Sequence, residues 1–178
     1  MKKSLLLIIS IPLLMCVTLS QCASPPKTAE QYAKKVRLDH DPYSGEFTVN
    51  AKLLDTGGFP NITKFWLRGS FKKSGSESIQ LVAHHWSQTG WKFISGASDI
   101  NSNSLPLSRI KSNVQYSGNT TERVAVNLSL AYLRANKDKG LNIRLHGSGG
   151  SVVIKATPEY IQSFLSRYQT LKSETLQR

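Results

Sequence analysis

Apolar and polar residues alternate with a period of two over most of the chain, and this pattern restricts the fold more than any other feature. One such segment covers residues 47–53, with apolar side chains at the odd positions: Phe47, Val49, Ala51 and Leu53. Successive side chains of a β-strand point to opposite faces, so the pattern places the apolar ones on one side of a sheet. Turns rich in Gly, Asn and Ser separate the segments, which favours antiparallel neighbours.

The period changes near the C-terminus. Thr157 and Pro158 are typical of a helix N-cap and first helical position. Apolar residues then recur at helical spacing: Tyr160, Ile161, Phe164, Leu165, Tyr168 and Leu171. The sequence therefore predicts a mainly β (α+β) fold. We expect an antiparallel β-sandwich or strongly curved sheet of about seven or eight strands, with a C-terminal amphipathic helix packed on it.

The N-terminus has the three-part layout of a secretory signal. Lys2 and Lys3 form a charged start, residues 5–17 form an apolar run, and residues 18–24 form a small, polar exit. A helix over the apolar run would span about 20 Å, which is short of the ~30 Å hydrocarbon core of a bilayer. We therefore expect a cleaved leader over residues 1–21 rather than a permanent membrane span.

The four residues that end the leader are Leu19, Ser20, Gln21 and Cys22. This sequence resembles the lipobox of bacterial lipoproteins, although that family usually has a small residue where Gln21 stands. The resemblance implies that Cys22 is linked to diacylglycerol and acylated, for example with palmitate. Ala23 after the cysteine resembles the pattern that is routed to the outer membrane, which implies an anchored domain facing the periplasm.

The remaining cysteine, Cys16, lies inside the leader, so the exported part has no disulfide framework. An unlipidated Cys22 would be a lone thiol in an oxidising compartment, which supports lipidation; ordinary cleavage near Cys22 and soluble release is the alternative. We expect a lipid-anchored tether over residues 22–42, one β-rich domain with its C-terminal helix over residues 43–172, and a tail over residues 173–178.

The chain is strongly basic. It has 23 Lys and Arg residues against 11 Asp and Glu. Only Lys2 and Lys3 belong to the leader, so the exported part keeps a net charge of about +10. The basic residues are scattered, without a run of five. They form either a solubilising surface or a face for an anionic envelope lipid, polysaccharide or protein partner. We expect no nucleic acid.

Several enzyme motifs are missing from the sequence. It has no G-x-S-x-G nucleophile elbow, no phosphate-binding G-x-x-x-x-G-K-[ST] loop, no H-E-x-x-H motif and no cysteine pattern for a metal. No cofactor and no metal site are therefore predicted, and no catalytic residue is assigned.

The candidate ligand surface consists of aromatic and histidine side chains on predicted strands: Trp66, Trp86, Trp91, His84 and His85. Because His84 and His85 are adjacent on a strand, they are expected to point to opposite faces. Asp39, His40 and Asp41 resemble a ligand cluster, but they precede the first alternating segment and are interpreted as a solvated linker.

Two functions remain open from the sequence. The first is a cell-envelope lipoprotein with a non-catalytic binding or structural role, which engages an anionic envelope component. The alternative is an exported hydrolase of an envelope polymer, with dispersed residues such as Asp39, His40, His84 or His85 in its site. This alternative requires a cleft in which at least two of these residues converge.

Overall fold

The computed structural model describes residues 26–114 and 118–177, so the predicted leader, Cys22 and the start of the tether lie outside the described residues. The helices are α1 (Ala29–Ala33), α2 (Leu130–Asn136) and α3 (Pro158–Leu176). The strands are β1 (Arg37–Asp41), β2 (Glu46–Asn50), β3 (Leu54–Gly58), β4 (Asn61–Lys72), β5 (Glu77–Ser87), β6 (Ile94–Asp99), β7 (Ser104–Leu105), β8 (Leu107–Val114), β9 (Thr120–Leu128), β10 (Leu141–Gly147) and β11 (Gly150–Ala156).

The strands form two antiparallel sheets. Sheet A has the order β1-β2-β4-β5-β9-β8, and β3 pairs with β4 as its seventh strand. Sheet B has the order β11-β10-β6-β7 and contacts sheet A along β8 and β9. The predicted β-sandwich with a C-terminal helix is therefore confirmed, with eleven strands in the described residues where about seven or eight were expected.

The core lies between the inner face of sheet A, sheet B and α3. Period-two burial on β4 and β5 directs apolar side chains inward, among them Phe65, Leu67 and Leu81. The helix begins as predicted, with the Thr157 hydroxyl accepting a hydrogen bond from the backbone N–H of Tyr160 at 3.4 Å. The elements of the described residues lie between Ala29 and Leu176, and they enclose a core of their own.

The helix approaches the sheet closely at Gly69. A Cβ atom at this position would lie 2.5 Å from Cε2 of Tyr168, whose ring is buried on α3. A side chain of any size at residue 69 would therefore collide with the helix.

The edge of β4 is divided between two partner strands. Strand β2 pairs with residues 68–72 of β4, and β3 pairs with residues 61–65. Between them, the buried Tyr160 hydroxyl accepts a hydrogen bond from the backbone N–H of Leu67 at 3.1 Å. The same hydroxyl donates to the carbonyl of Lys52 at 2.8 Å. It therefore satisfies two backbone groups at the break in the strand pairing.

Part of the segment predicted as a tether is folded onto the domain. Tyr32 of α1 is buried against Tyr160, with ring centroids 5.4 Å apart, and β1 pairs with β2. All five side chains of β1 are exposed, so the strand has no apolar alternation that could reveal it in the sequence. At the other end, α3 continues through Leu176, into the segment predicted as a tail.

Within the described ranges, no helix combines the length and the apolar character that a membrane span requires.

Candidate functional site

Sheet A turns one face towards the core and the opposite face, here called the outer face, away from it. On β4 and β5 the odd-numbered residues are mostly buried in the core, so the even-numbered residues point to the outer face. On β9 the even-numbered residues face the core and the odd-numbered ones face outward.

Four basic side chains lie side by side across the outer face. Lys64 pairs with His84, His84 pairs with Arg123, and Arg123 pairs with Lys111, in directly opposed positions of β4, β5, β9 and β8. Adjacent strands are about 4.8 Å apart, so these residues form a line about 14 Å long. We call them the basic row.

Two members of the basic row repel each other, because Arg123 and Lys111 are like charges in directly opposed positions of β9 and β8. Like charges directly opposite each other in neighbouring strands destabilise a sheet. Asp55 stands opposite Lys64 on β3, but no ion pair joins them. In the described part of the chain, ion pairs occur only away from the row, at Glu30–Lys34 and Glu77–Lys172.

The environment of the basic row affects two of its members. Partial burial lowers the pKa of His84 below its ordinary value, and the charges of Arg123 and Lys64 lower this pKa further. The Nε atom of Arg123 is buried and has no hydrogen-bond partner among the described residues. A bound anion would relieve the repulsion between the charged members of the row.

A shallow depression of about 150 Å³ lies on the basic row. It is lined by His84, Lys111 and Arg123 together with the polar residues Asn113 and Thr121. At about 30 Å³ per water molecule, it holds the volume of roughly five waters, which is enough for one phosphate-sized group. Its walls supply hydrogen-bond donors on several sides.

Two of the predicted tryptophans lie on the same face. Trp86 is half-buried on β5, two residues from His84, and Trp66 is half-buried on β4, two residues from Lys64. The structure therefore brings together three residues of the predicted ligand surface, His84, Trp66 and Trp86. Trp91 lies instead in the connection between β5 and β6.

A second, wider depression of about 600 Å³ lies next to Trp66. Its lining includes the basic side chains of Lys35, Arg37 and Lys52, the carboxylate of Asp39, and Pro26. This second depression is therefore also more basic than acidic.

The structure places His85 inside the protein, away from the ligand surface predicted for it. Its Nδ1 atom is hydrogen bonded to the Thr63 hydroxyl at 2.8 Å, and burial lowers its pKa. Glu122 stands opposite His85 on β9 and is also buried. The Glu122 carboxylate accepts hydrogen bonds from the backbone N–H groups of Lys92 at 2.8 Å and Ile94 at 2.9 Å. These contacts fix the β5–β6 connection rather than form an open site.

Asp39, His40 and Asp41 lie on β1 and have local partners. Asp39 accepts a hydrogen bond from the Asn50 amide at 2.8 Å, and the His40 ring stacks on Phe47 with centroids 4.2 Å apart. Hydrogen bonds from the Ser44 hydroxyl and the backbone N–H of Tyr43 lower the pKa of Asp41. These contacts are those of a β-hairpin.

The residues named for a hydrolytic site do not converge. Strands β2 and β4 separate β1 from β5, and the register aligns Asp39 with Ser78, six residues from His84, which puts Asp39 and His84 about 24 Å apart. His85 points to the opposite face from His84. Across residues 26–114 and 118–177, no group of three or more His, Cys, Asp or Glu residues is arranged to hold a metal.

Sequence reasoning did not identify Lys64, Lys111 and Arg123 as site residues. They are far apart in the chain, and only the strand order β4-β5-β9-β8 makes them neighbours of His84. The sequence contains only a weak indication of the basic row: each of these alternating segments has a basic residue at one of its polar positions.

Comparison with models of known protein families, with curated proteins and with solved structures finds no match to this chain.

Proposed function

We propose that this protein is a non-catalytic binding module of the bacterial cell envelope, and that it holds an anionic, phosphate-bearing component on its basic row. The observation that carries the proposal is the alignment of Lys64, His84, Arg123 and Lys111 on four neighbouring strands, with no ion pair to the row among the described residues and with Asp55, opposite Lys64, as the carboxylate at its β3 end. Such an arrangement costs free energy in the isolated protein and becomes favourable when an anion binds.

Phosphate matches the donors that the basic row offers. An Arg guanidinium presents several N–H groups in a planar fork, and Lys supplies a mobile point charge. Asn113 and Thr121 add neutral polar groups at the same depression. The half-buried Trp86 next to the row gives an apolar side against which the rest of a ligand can pack.

The envelope location follows from the sequence. The leader directs export, and lipidation of Cys22 would hold the domain at the outer membrane, facing the periplasm. The binding role is favoured over the alternative hydrolase because the residues named for hydrolysis are separated, whereas the basic residues are assembled. An anionic lipid, an anionic polysaccharide and an acidic protein all carry suitable charge.

Titration with tripolyphosphate, a soluble phosphate probe, tests the proposal. The chain from residue 23 to 178 contains every described element, and binding is measured by isothermal titration calorimetry at low and moderate salt. We expect saturable binding that weakens as salt screens the charges. Arg123→Gln removes a charged donor worth about 1.4 kcal/mol, so the affinity should fall about tenfold.

Lys73→Gln is the matched control. Lys73 is exposed in the turn between β4 and β5, at the far end of these strands from the depression, and its replacement removes the same charge. It should leave the affinity within twofold of the wild type. Equal losses from Arg123→Gln and Lys73→Gln would show that only the net charge matters and would contradict a specific site.

A further inference from the structure

One end of the sandwich, here called the loop end, gathers three chain connections. The backbone N–H of Gln88 donates to the carbonyl of Pro60 at 3.2 Å, which joins the β5–β6 connection to the β3–β4 turn. The backbone N–H of Gly149 donates to the carbonyl of Lys92 at 3.0 Å, which joins the same connection to the β10–β11 turn. Hydrogen bonds between backbones therefore hold the loop end together.

Large apolar side chains are exposed at the loop end. Phe59 is 77% exposed, Phe93 is 53% exposed, and Val114 is 55% exposed at the end of β8. The ring of Trp91 lies beside that of Phe93, with centroids 6.0 Å apart. A group of exposed apolar side chains on a domain that has a well-formed core elsewhere indicates a surface that meets an apolar partner.

The backbone of Phe93 is held in a strained conformation. Its φ of 53° lies in the left-handed region, which bulky residues rarely adopt. Glu122 accepts hydrogen bonds from the backbone N–H groups of Lys92 and Ile94, the residues on either side of Phe93. The buried carboxylate therefore fixes the connection while the aromatic ring remains in solvent. Strain that the surrounding structure maintains in this way is characteristic of functional positions.

The basic row lies on the outer face of sheet A, a short distance along the strands from the loop end. Lys64, His84 and Arg123 are each three residues from the ends of their strands, at Asn61, Ser87 and Thr120. With a rise of about 3.3 Å per residue, the row is about 10 Å from those ends. Apolar side chains of peripheral proteins enter the headgroup and acyl boundary to a depth of about 5–10 Å. Insertion of the loop end would bring the row to the level of the lipid phosphates.

We propose that the loop end inserts Phe59, Trp91 and Phe93 into an anionic lipid surface while the basic row binds the headgroup phosphates. This inference rests on the proposed anion-binding function of the row and names a lipid headgroup as the source of the phosphate. Charge complementarity selects the occupant, because Arg123 and Lys111 carry positive charge without an ion-pair partner among the described residues, about 10 Å from the end of the sandwich where aromatic side chains are exposed.

The chain that precedes the described residues is consistent with this orientation. Pro26 lines the wider depression beside Trp66, and Trp66 is two residues, about 7 Å, from Lys64 along β4. Four residue steps from Cys22 to Pro26 span at most about 14 Å. An anchor at Cys22 would therefore reach a bilayer whose headgroups lie at the basic row.

Vesicle co-sedimentation with residues 23–178 tests the proposal without the lipid anchor. The probes are vesicles of phosphatidylcholine alone and vesicles containing phosphatidylglycerol as the anionic lipid. The wild type should bind the anionic vesicles and bind the neutral ones at least tenfold more weakly. Phe93→Gly removes the ring at a backbone conformation that glycine adopts freely, so relief of the backbone strain offsets the lost packing and the fold should be retained. Binding to anionic vesicles should fall about tenfold.

Matched variants separate the two proposals. Ile100→Ser removes a 72% exposed apolar side chain at the opposite end of β6 and should leave vesicle binding unchanged. Phe93→Gly should leave the tripolyphosphate affinity unchanged, whereas Arg123→Gln should weaken binding to both probes, about fivefold for vesicles. Wild-type binding to tripolyphosphate but not to anionic vesicles would overturn lipid insertion and leave the anion site standing. Vesicle binding by Phe93→Gly equal to that of the wild type would also overturn it.

Discussion

Tyr160→Phe tests whether the Tyr160 hydroxyl stabilises the domain. This hydroxyl links α3 to sheet A at the point on β4 where neither β2 nor β3 is paired. The substitution removes a single oxygen and keeps the ring, so it opens almost no cavity. It leaves the N–H of Leu67 and the carbonyl of Lys52 without the partner that they have at 3.1 Å and 2.8 Å. Both groups lie where neither β2 nor β3 can supply a replacement, because their pairing with β4 ends on either side of Leu67.

The expected loss of stability follows from these two groups. An unsatisfied buried hydrogen-bonding group costs about 1–3 kcal/mol, and some water reaches the broken site, so we expect a decrease of about 3 kcal/mol in the free energy of unfolding. For a domain of this size, this corresponds to a decrease in Tm of about 6–12 °C. Urea unfolding monitored by circular dichroism measures the free energy, and the slope with urea should remain unchanged because the surface exposed on unfolding is the same.

Tyr43→Phe provides the control, because Tyr43 is 99% exposed and its hydroxyl meets solvent. Its free energy of unfolding should stay within about 0.5 kcal/mol of the wild type. Amide hydrogen exchange adds a local measurement, since the N–H of Leu67 should exchange faster in Tyr160→Phe than in the wild type. If Tyr160→Phe is as stable as Tyr43→Phe, the two backbone groups do not depend on the hydroxyl and the reasoning is refuted.

Three other changes have defined outcomes. Glu122→Gln should lower the free energy of unfolding by about 2–4 kcal/mol in urea, because the amide can accept from only one of the two backbone N–H groups of the β5–β6 connection. Gly69→Ala should destabilise by about 1–3 kcal/mol in the same assay, because the new methyl group collides with the ring of Tyr168, whereas Gly58→Ala has open space and should have little effect. Stability should decrease as the pH falls below about 6.5, since the lowered pKa of His84 lets the unfolded chain bind more protons; His84→Gln should reduce the difference between the free energies of unfolding at pH 7.5 and pH 5.5.

Control variants separate the cause assigned to each of these three changes from a nonspecific effect of the substitution. Glu174→Gln, at an exposed position of α3, controls for loss of a carboxylate and should be neutral. His85 also has a lowered pKa, so His84→Gln should reduce the pH dependence without abolishing it. An unchanged pH dependence in His84→Gln, or equal effects at Gly69 and Gly58, would contradict the assigned causes.

The fold class could be predicted because its signals are local. Alternation identifies a strand with one buried face, and helical spacing after Thr157 identifies α3, without knowledge of which segments meet. Strands such as β1 and β3 escaped prediction because most of their side chains are exposed. Because such strands are held mainly by backbone hydrogen bonds, their sequences show no alternation of apolar and polar residues.

The site was less predictable because it depends on pairing between distant segments. Alternation of Ile79, Leu81 and Ala83 indicates one apolar face of β5, and His85 continues that face while His84 lies on the other. It does not show which residues of other strands lie beside His84. Strand β5 pairs with β9 although β6 and β7, which lie between them in the chain, belong to the other sheet. This pairing is what assembles the basic row.

The same pairing has a consequence for the order in which the chain can fold. Ser87 pairs with Thr120 and Ile79 with Leu128, so the partner positions are 33 to 49 residues apart in the chain. Until β9 has emerged from the ribosome, the apolar strand β5 has an open hydrogen-bonding edge. Closing so large a loop slows folding, and an open apolar edge favours pairing with other chains. We therefore expect the nascent protein to need protection from aggregation during this interval. Chaperones should no longer be required once β9 has paired with β5.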